Sequence, residues 1–317
     1  MTAGSSGGER PLSARDTLFA DERDRAPDGR SVPAADPRRD DPGGIAAVPP
    51  FRFDEAVARV FPDMLARSIP GYASIVAQTG LLAARFARPD TRLYDLGCSL
   101  GASALSMRAA LAVPNEAADE RGPNREREIA GETDSGERSA TERRSIARSC
   151  TVHGVDDSAA MLARARELVA EAERAGAATT LAPPVHLHQA DLVTCPLERA
   201  SVVAMNFTLQ FVVAEARAAL MERIARALVP GGALILSEKL RFEDPRLEAL
   251  HVDMYHAFKR ANGYSALEIA RKRVALEDVL VPDTLAEHER RLARAGFART
   301  SVWFQCFNFV SLVAIRD

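Results

Sequence analysis

The segment RLYDLGCSLGAS, residues 92–103, constrains the fold of this chain more than any other. An apolar strand pattern runs directly into a turn with glycines at positions 97 and 101, and a helical pattern follows. The G-x-x-x-G spacing differs from the G-x-G-x-x-G spacing typical of dinucleotide-binding folds. Gly97 lets a ligand approach the backbone, and Gly101 permits close approach of the next helix. Asp95, at the strand end, is suited to accept from an ammonium group or to brace the turn.

Strand and helix patterns alternate along the rest of the chain, and this alternation predicts the fold class. It is typical of a parallel sheet with helices on both faces. We therefore predict an α/β fold, a doubly wound Rossmann-like sheet, preceded by helices over 54–87. A helical segment over 247–276 is inserted near the C-terminus, before one or two strands over 302–316. Gly231 and Gly232 are predicted to end the helix that precedes the strand ALILSEKL.

Polar residues follow three further strand patterns. Asp156 and Asp157 end one strand, Asp191 ends the next, and Asn206 lies where a fourth strand runs out. An acidic residue at the second strand end is the usual acceptor for a ribose diol, and ligands of such sheets bind at the carboxyl ends of the strands. Together with the glycine turn, these residues predict a nucleoside site, the arrangement of the Rossmann-like S-adenosylmethionine-dependent methyltransferase type.

The spacing between the glycine turn and the ribose acceptor supports this interpretation. Gly97 and Asp156 are 59 residues apart, whereas the expected separation is about 20 residues. Removing the 35 residues of the polar segment 114–148 leaves 24. We therefore interpret this segment as an insertion in an otherwise ordinary unit.

Two regions are too polar to build a core. Residues 1–48 are rich in Gly, Pro, Asp and Arg, and we expect them to form a mostly disordered N-terminal extension. The insertion at 114–148 is dense in charge, and we expect it to be a disordered surface segment. A short helix within it is possible because Glu and Arg are good helix formers, but nothing marks a helix face that would pack. The remaining unit, 49–317, is predicted to be one S-adenosylmethionine-binding domain.

Composition excludes several classes of function. The formal net charge is −3, which gives no overall attraction toward nucleic acid or an anionic membrane. No apolar stretch approaches the roughly 20 residues that span a bilayer. The N-terminus lacks the apolar region of a secretory signal, so a cytoplasmic protein is expected.

Cysteine and histidine spacing predicts no metal site and no disulfide framework. The four cysteines are scattered without a C-x-x-C pair. His186 and His188 alternate along a strand pattern, and two ligands alone make a poor metal site, so we interpret them as strand residues.

Several strings go beyond this general pattern and closely resemble one family, the carboxy-S-adenosyl-L-methionine synthases. The resemblance covers nearly everything outside 20–50 and 114–148. The strings that carry it are RDTLF at 15–19, FDEAVARVFPDMLARSIPGYASI, LYDLGCSLGASALS, NFTLQF, PGGALILSEK, HAFKRANGYSALEI and WFQCFNFVSLVA.

The resemblance implies a substrate pair, a product and a set of site residues. The family has the methyltransferase fold, but it converts S-adenosyl-L-methionine and prephenate to carboxy-S-adenosyl-L-methionine and phenylpyruvate. The product supplies the carboxymethyl group for a tRNA wobble uridine modification, and 247–276 takes part in a homodimer. By matching, the nucleoside and methionine pocket would comprise Tyr72, Gly97, Cys98, Ser99, Asp156, Asp157, Asp191, Leu192 and Asn206, with Arg260 binding the added carboxylate.

The chemistry implied by the resemblance asks little acid–base work of the protein. Hydroxide released from prephenate would take a proton from the sulfonium methyl group, and the resulting ylide would capture the nascent carbon dioxide. The protein would supply positioning, exclusion of water and a cation for the carboxylate. Arg260 suits that carboxylate because guanidinium presents paired donors and stays charged. His256 and Tyr264 are plausible neighbours of the carboxylate.

Structural alternatives remain open for each residue. Arg260 could belong to a solvated basic helix face together with Lys259, Arg271, Lys272 and Arg273. Tyr72 could be a packing residue, and Cys98 is better explained as a small side chain beside a close backbone contact than as a nucleophile. Trp303, Phe304, Phe307 and Phe309 are expected in the core of the last strands rather than in a substrate box.

Two other functions compete with the synthase interpretation. The first is an ordinary S-adenosylmethionine-dependent methyltransferase. The second is a non-catalytic binding module that uses the insertion and the N-terminal extension to hold a protein partner.

Overall fold

The computed structural model describes residues 14–20, 50–114, 138–176, 180–277 and 279–317. Within these ranges the helices are α1 (Glu55–Ser68), α2 (Tyr72–Phe86), α3 (Ala102–Ala110), α4 (Ala140–Ser149), α5 (Ala159–Gly176), α6 (Ala214–Ala227), α7 (Pro245–Ala261), α8 (Ala266–Leu276) and α9 (Leu285–Ala295). The strands are β1 (Arg92–Leu96), β2 (Val113–Pro114), β3 (Thr151–Asp156), β4 (Thr180–Leu181), β5 (Val185–Gln189), β6 (Ala200–Asn206), β7 (Leu228–Lys239), β8 (Phe297–Cys306) and β9 (Phe309–Arg316).

Seven strands form one sheet in the order β5-β3-β1-β6-β7-β9-β8. The five strands from β5 to β7 are parallel, as predicted, and β9 and β8 extend the sheet in antiparallel pairing. The terminal pattern at 302–316 therefore contributes to a hairpin, which turns at Phe307 with a φ of 51°. Strand order reverses beside β1, the position at which doubly wound sheets bind their ligands.

Helices cover both faces of the sheet, which confirms the predicted doubly wound α/β architecture. On one face, Leu93 of β1 joins a core with Ala83 of α2 and Met107 of α3. On the other face, Leu96 joins a core with Leu220 of α6. The central strands are buried on both sides, so they read as continuous apolar runs rather than as alternating ones.

The predicted insertion ends earlier than the sequence suggested. Residues 115–137 lie outside the described ranges, but α4 occupies 140–149 and buries Ile146 and Ala147. Ile146 is 1% exposed and joins the core beneath α2 and α3. The expectation that no helix face in this segment packs is therefore wrong at its C-terminal end, because one buried isoleucine is enough to seat a short helix.

Part of the N-terminal extension also packs against the domain. Residues 14–20 are described, and the rest of the range 1–48 lies outside the described residues. Asp16 is 1% exposed, and its carboxylate accepts hydrogen bonds from Tyr264 Oη and Lys272 Nζ. Its main-chain carbonyl oxygen accepts a hydrogen bond from Arg67 Nη1. The RDTLF string therefore joins α1 to α8.

The glycine pair at 231–232 does not end a helix. Helix α6 ends at Ala227, and Gly231 and Gly232 lie inside β7. The register between β6 and β7 shifts in this region, and Gly231 has a φ of 74°, so the pair marks a strand irregularity.

Candidate active site

The glycine turn after β1 is held in an unusual backbone conformation. Gly97, Ser99 and Gly101 have φ values of 76°, 48° and 80°. A side chain at Gly97 would collide with Thr208, whereas the nearest atom to a Cβ at Gly101 would be 3.9 Å away. Gly97 is thus required both by the backbone and by the neighbouring loop, and the turn lies against the segment that follows β6.

Asp95 braces the helix that follows this turn. Its Oδ2 accepts a hydrogen bond from the main-chain NH of Ala104 at 2.9 Å, near the N-terminus of α3. Burial raises the pKa of Asp95 to about 7, the Ala104 hydrogen bond opposes the shift, and Asp156 adds to it. Burial raises the pKa of Tyr72, and the charge of Asp95 raises it further.

Asp156 joins the first two strand ends. Its Oδ2 accepts from the main-chain NH of Ser99 at 2.8 Å, and its Oδ1 accepts from the NH of Ser158 at 2.9 Å. Burial raises the pKa of Asp156, and both hydrogen bonds counteract that shift. Asp157 is exposed, and its carbonyl oxygen accepts from Gln189 Nε2 at 3.2 Å. The structure therefore brings Ser99 and Asp156 together as the sequence predicts.

The third and fourth strand ends differ in how their polar groups are used. Asp191 is exposed and accepts from the NH of Val193 at 2.7 Å, while Leu192 packs against the core. The Asn206 side chain is fully engaged. It donates to Thr79 Oγ1 at 3.1 Å and Ser103 Oγ at 2.9 Å, and it accepts from Ser237 Oγ at 2.7 Å. Asn206 thus braces β6 against α2, α3 and β7.

Glu238 fixes the loop that follows β6. This side chain is 1% exposed and accepts hydrogen bonds from three successive main-chain NH groups. Burial raises its pKa to about 8, while these hydrogen bonds and Arg217 oppose the shift. Phe207 begins the loop with a φ of 61°. Sequence patterns did not point to Glu238, because an acid inside an apolar strand carries no periodic signal.

Cys98 lies in the turn but is not prepared for nucleophilic chemistry. Burial raises the pKa of its thiol, and the nearby Asp95 and Asp156 carboxylates raise it further. A raised pKa disfavours the thiolate that a nucleophile needs. Its Sγ lies where a side chain on Gly154 would have to fit.

Helix α7 presents two different faces. Tyr255 and Lys259 are buried, one helical turn apart, whereas Arg260 is exposed. Within the described residues, no hydrogen bond or ion pair engages the Arg260 guanidinium. The pKa of His256 is lowered first by burial and then by four cations, namely Lys259, Arg260, Arg273 and Lys239. Arg260 therefore belongs to a basic region, but its side chain faces outward in the single chain.

An aromatic cluster adjoins the glycine turn on the β6–β7 side. Phe207, Tyr255 and Phe309 pack together with Ile69 and Ile75, and Tyr72 and Phe304 lie against them. Tyr255 and Phe309 meet edge to face with ring centroids 5.1 Å apart. The prediction that the four aromatic residues at 303, 304, 307 and 309 form the core of the last strands is confirmed for Phe309, which is 3% exposed. The other three are only partly buried, and Phe307 lies in the turn between β8 and β9. Tyr264 lies with Asp16, where α8 meets the N-terminal segment.

The histidines at 186 and 188 lie on β5, as predicted. His188 Nε2 and His153 Nδ1 share a hydrogen bond at 2.9 Å, and burial lowers the pKa of His153 to about 3. In the part of the chain that the structure describes, no three His, Cys, Asp or Glu side chains are grouped as metal ligands would be. Among the described helices, none combines the length and apolar character needed to cross a bilayer.

Comparisons with known proteins agree with this fold. A family described as "Methyltransferase domain" matches residues 134–236. An O-methyltransferase family protein from Burkholderia thailandensis superposes with a TM-score of 0.51 at 15% identity, covering 83% of this chain and 60% of the other, and this likeness shows the fold alone.

Two relatives are far more similar in sequence. The carboxy-S-adenosyl-L-methionine synthase of Trichlorobacter lovleyi is 47% identical over 266 residues, which are 84% of this chain and 93% of the relative. The protein of the same name from Pseudomonas aeruginosa is 49% identical over 265 residues, with the same coverage. The chain belongs to the carboxy-S-adenosyl-L-methionine synthase family.

Proposed function

We propose that this enzyme converts S-adenosyl-L-methionine and prephenate to carboxy-S-adenosyl-L-methionine and phenylpyruvate. The observation that carries the proposal is the 47% identity to a synthase over 84% of the chain. The geometry is compatible with it, because the glycine turn and the strand-end acids are adjacent at the carboxyl ends of parallel strands. In the reaction, prephenate loses carbon dioxide and hydroxide, the hydroxide removes a methyl proton as water, and the methyl carbon bonds to the carbon dioxide.

Nucleoside binding is assigned to the strand-end residues. Asp156, at the end of β3, would accept hydrogen bonds from the ribose hydroxyl groups. Asp191, which follows the neighbouring strand β5, would accept a hydrogen bond from the adenine amino group. Tyr72 would lie against the sulfonium, which aromatic rings attract as they attract ammonium groups. The residues proposed to line this pocket are Tyr72, Gly97, Cys98, Ser99, Asp156, Asp157, Asp191, Leu192 and Asn206.

The pocket's own residues would position the reactants and keep water out. A methyl carbanion beside sulfur would be reprotonated by bulk water, so an apolar surround is required. The aromatic cluster of Phe207, Tyr255 and Phe309 provides such a surround beside Tyr72. The reaction asks no proton transfer of Asp95, whose carboxyl group is engaged with the α3 backbone.

Arg260 is proposed to bind the new carboxylate. Because its side chain is exposed in the single chain, we favour binding to the ligand of the partner subunit in a homodimer. Leu247, Leu250 and Met254 on the same helix are 47%, 51% and 41% exposed, at spacings that put them on one face. A second copy seated on this apolar face would bring the outward-facing guanidinium near the partner's pocket. Service to a tRNA wobble uridine pathway in the cytoplasm is part of the same proposal.

One incubation tests the function. The purified protein is mixed with S-adenosyl-L-methionine and prephenate. Mass spectrometry determines the mass of the nucleoside product, and absorbance measures the phenylpyruvate formed. A nucleoside heavier by one carboxyl group, formed in step with phenylpyruvate, supports the synthase. S-adenosylhomocysteine formed with an added acceptor would favour a methyltransferase, and nucleoside binding without any product would favour a binding module.

A further inference from the structure

Lysine is almost absent from this chain, and its few copies gather in one place. Of the 41 basic residues, 38 are arginines and three are lysines, at positions 239, 259 and 272. Lysine side chains are ordinarily exposed. Here Lys259 and Lys272 are buried, Lys239 is half-buried, and Lys239 and Lys272 both lower the pKa of Lys259, so the three ammonium groups are close together.

Lys272 has the partners that a buried ammonium group needs. Its Nζ lies 3.3 Å from Asp16 Oδ2, 3.1 Å from Ser68 Oγ and 3.2 Å from Tyr264 Oη. Lys272 is thereby accounted for as a structural residue that holds the N-terminal segment against α1 and α8.

Lys259 and Lys239 have no such partners. Lys259 is 5% exposed, and its Nζ lies 4.4 Å from the centre of the Tyr255 ring. Lys239 Nζ lies 5.1 Å from the centre of the same ring. Within the described residues, neither ammonium group has a hydrogen-bond acceptor or an ion pair. A buried cation without an anion is costly, and an anion bound between the two ammonium groups would remove that cost.

The electrostatic environment points the same way. Burial, followed by repulsion from Lys272 and Lys239, lowers the pKa of Lys259 to about 7, with Asp16 opposing the shift. Burial also lowers the pKa of Lys239, and only Glu248 opposes it. A carboxylate bound between the two ammonium groups would relieve both penalties.

The pair lies where a co-substrate would meet the nucleoside. Lys239 is the last residue of β7. In the sheet, β6 and β7 lie on one side of β1, and β3 and β5 lie on the other side. The proposed nucleoside contacts occupy the β1, β3 and β5 ends. Tyr255, which both lysines flank, packs with Phe207 and Phe309, and Phe207 in turn neighbours Tyr72. Aromatic rings and two cations therefore adjoin the site of the sulfonium.

We propose that Lys239 and Lys259 form an anion subsite that binds the oxo-acid carboxylate of the ring-bearing co-substrate, beside an aromatic wall made by Tyr255, Phe207 and Phe309. This inference rests on the proposed function, since that function supplies a co-substrate with a ring and two carboxylates. To the proposed function, the inference adds the residues that bind the unreactive carboxylate. That carboxylate is retained in phenylpyruvate.

The choice between the two carboxylates follows from the chemistry. A carboxylate that departs as carbon dioxide loses its negative charge, so a fixed cation beside it would stabilise the ground state and slow the reaction. The oxo-acid carboxylate keeps its charge throughout, and a buried cation pair can hold it without opposing the chemistry. The ring carboxylate is then left on the sulfonium side.

The kinetic test uses Lys259→Met and Lys239→Met, with Lys259→Arg as the charge-conserving variant and Arg294→Met as the control for loss of one exposed cation. KM for prephenate and the inhibition constant of phenylpyruvate should rise about tenfold or more in each Lys→Met variant, as expected for a lost buried ion pair. KM for S-adenosyl-L-methionine should stay within about twofold, because a loss worth less than about 0.4 kcal/mol is not a lost contact. Lys259→Arg should recover part of the effect, and Arg294→Met should show none.

A neutral analogue sharpens the same test. Phenylacetone keeps the ring and the ketone of phenylpyruvate but lacks its carboxylate, so its weaker inhibition should be unchanged by the lysine substitutions. Unchanged prephenate KM and phenylpyruvate inhibition in Lys259→Met would overturn the subsite. A change confined to KM for S-adenosyl-L-methionine would also overturn it, because the cations would then serve the methionine carboxylate.

Binding without turnover separates this subsite from the proposed function. In protein labelled with ¹³C at lysine Cε, three side-chain signals are expected, one for each lysine. Phenylpyruvate should shift the signals of Lys239 and Lys259 and leave that of Lys272 in place. That result supports the subsite even if prephenate is not turned over, whereas an active enzyme in which neither signal moves would refute the subsite and leave the proposed function standing.

Discussion

The Asp156 carboxylate accepts the main-chain NH of Ser99 at 2.8 Å, across two strand ends that are 57 residues apart in sequence. Ser99 has a φ of 48°, a conformation that non-glycine residues seldom adopt without support. The carboxylate therefore stabilises the backbone conformation of the turn.

Asp156→Ala should weaken S-adenosyl-L-methionine binding by about 10- to 100-fold, since a hydrogen bond to a charged group contributes about 1.5–3 kcal/mol. Isothermal titration calorimetry measures the effect. The exposed Asp157 provides the comparison, because Asp157→Ala removes a carboxylate from the same strand end without releasing Ser99. Equal losses for the two variants would show that Asp156 has no special role in shaping the turn.

Gly97→Ala and Gly101→Ala form a matched pair. Both positions have positive φ, and an alanine there costs about 1–2 kcal/mol. Only at Gly97 does the new methyl group also meet Thr208. Gly97→Ala should therefore lower Tm further and abolish nucleoside binding, and a Gly97→Ala, Thr208→Gly double variant should recover part of the loss. Equal effects at the two glycines would rule out a steric role for Thr208.

Asp16 tests the packing of the N-terminal segment. Asp16→Ala leaves the buried Lys272 without its carboxylate, so the free energy of unfolding in urea should fall by about 3 kcal/mol. Adding Lys272→Met should restore part of the loss, because the unpaired cation is then gone. If Asp16→Ala unfolds at the same urea concentration as the parent protein, the segment contributes nothing to the stability of the domain.

The pH dependence of co-substrate binding follows from Lys259. Its pKa is lowered to about 7, and the groups around it are Lys239, Lys272, Asp16, His256 and the Tyr255 ring. Only the ammonium form attracts a carboxylate, so KM for prephenate should rise as pH increases above 7, approaching tenfold per pH unit. A bound carboxylate raises the pKa, so binding should be accompanied by proton uptake.

Lys259→Arg is the control for this pH profile. Guanidinium stays protonated throughout the range, so the variant should show a flat KM between pH 7 and about 9. A rise of the same size in the parent protein and in Lys259→Arg would assign the titration to another group.

Complementation between subunits tests the placement of Arg260. If Arg260 serves the partner's pocket, a mixture of Arg260→Ala chains with Gly97→Ala chains, which are expected to bind no nucleoside, should regain about a quarter of the parental activity. Random exchange makes half of the dimers mixed, and one of the two pockets in each is then complete. No recovery after confirmed subunit exchange would place Arg260 in its own pocket or outside the site. Met254→Glu, on the exposed apolar face of α7, should reduce dimer formation in ultracentrifugation.

Strand ends were predictable from the sequence because the parallel sheet enforces them. Apolar runs followed by Gly97, Asp156 and Asn206 can only be buried strands ending at one edge, and the structure places them there. The hydrogen-bond partners of these side chains were not predictable. The Asn206 amide could face a ligand or donate hydrogen bonds to Thr79 and Ser103. The choice depends on contacts with residues that are more than 100 positions away in the sequence.

Packing of short polar segments was also hidden from sequence patterns. Helix α4 is seated by Ile146 in a stretch that is otherwise charged, and Asp16 is buried within a polar N-terminal region. Periodicity cannot register a single anchoring residue. The alternative that Lys259 and Lys272 share a solvated basic face with Arg260 is wrong, because both lysines are buried. Adjacent helical positions such as 259 and 260 differ by about 100° in direction, and only the docking of α7 decides which of them enters the core. The scarcity of lysine was the signal that could have found the buried Lys259.

The three-lysine composition has a practical consequence for labelling. The described surface carries its positive charge almost wholly as guanidinium, which does not react with acylating dyes or succinimidyl crosslinkers at neutral pH. Apart from an α-amino group, the amines of this chain are Lys239, Lys259 and Lys272 around Tyr255 and Tyr264, and Lys259 and Lys272 are buried. Coupling of a fluorophore or a surface through amines would therefore modify few sites, and among the lysines it would favour the half-buried Lys239.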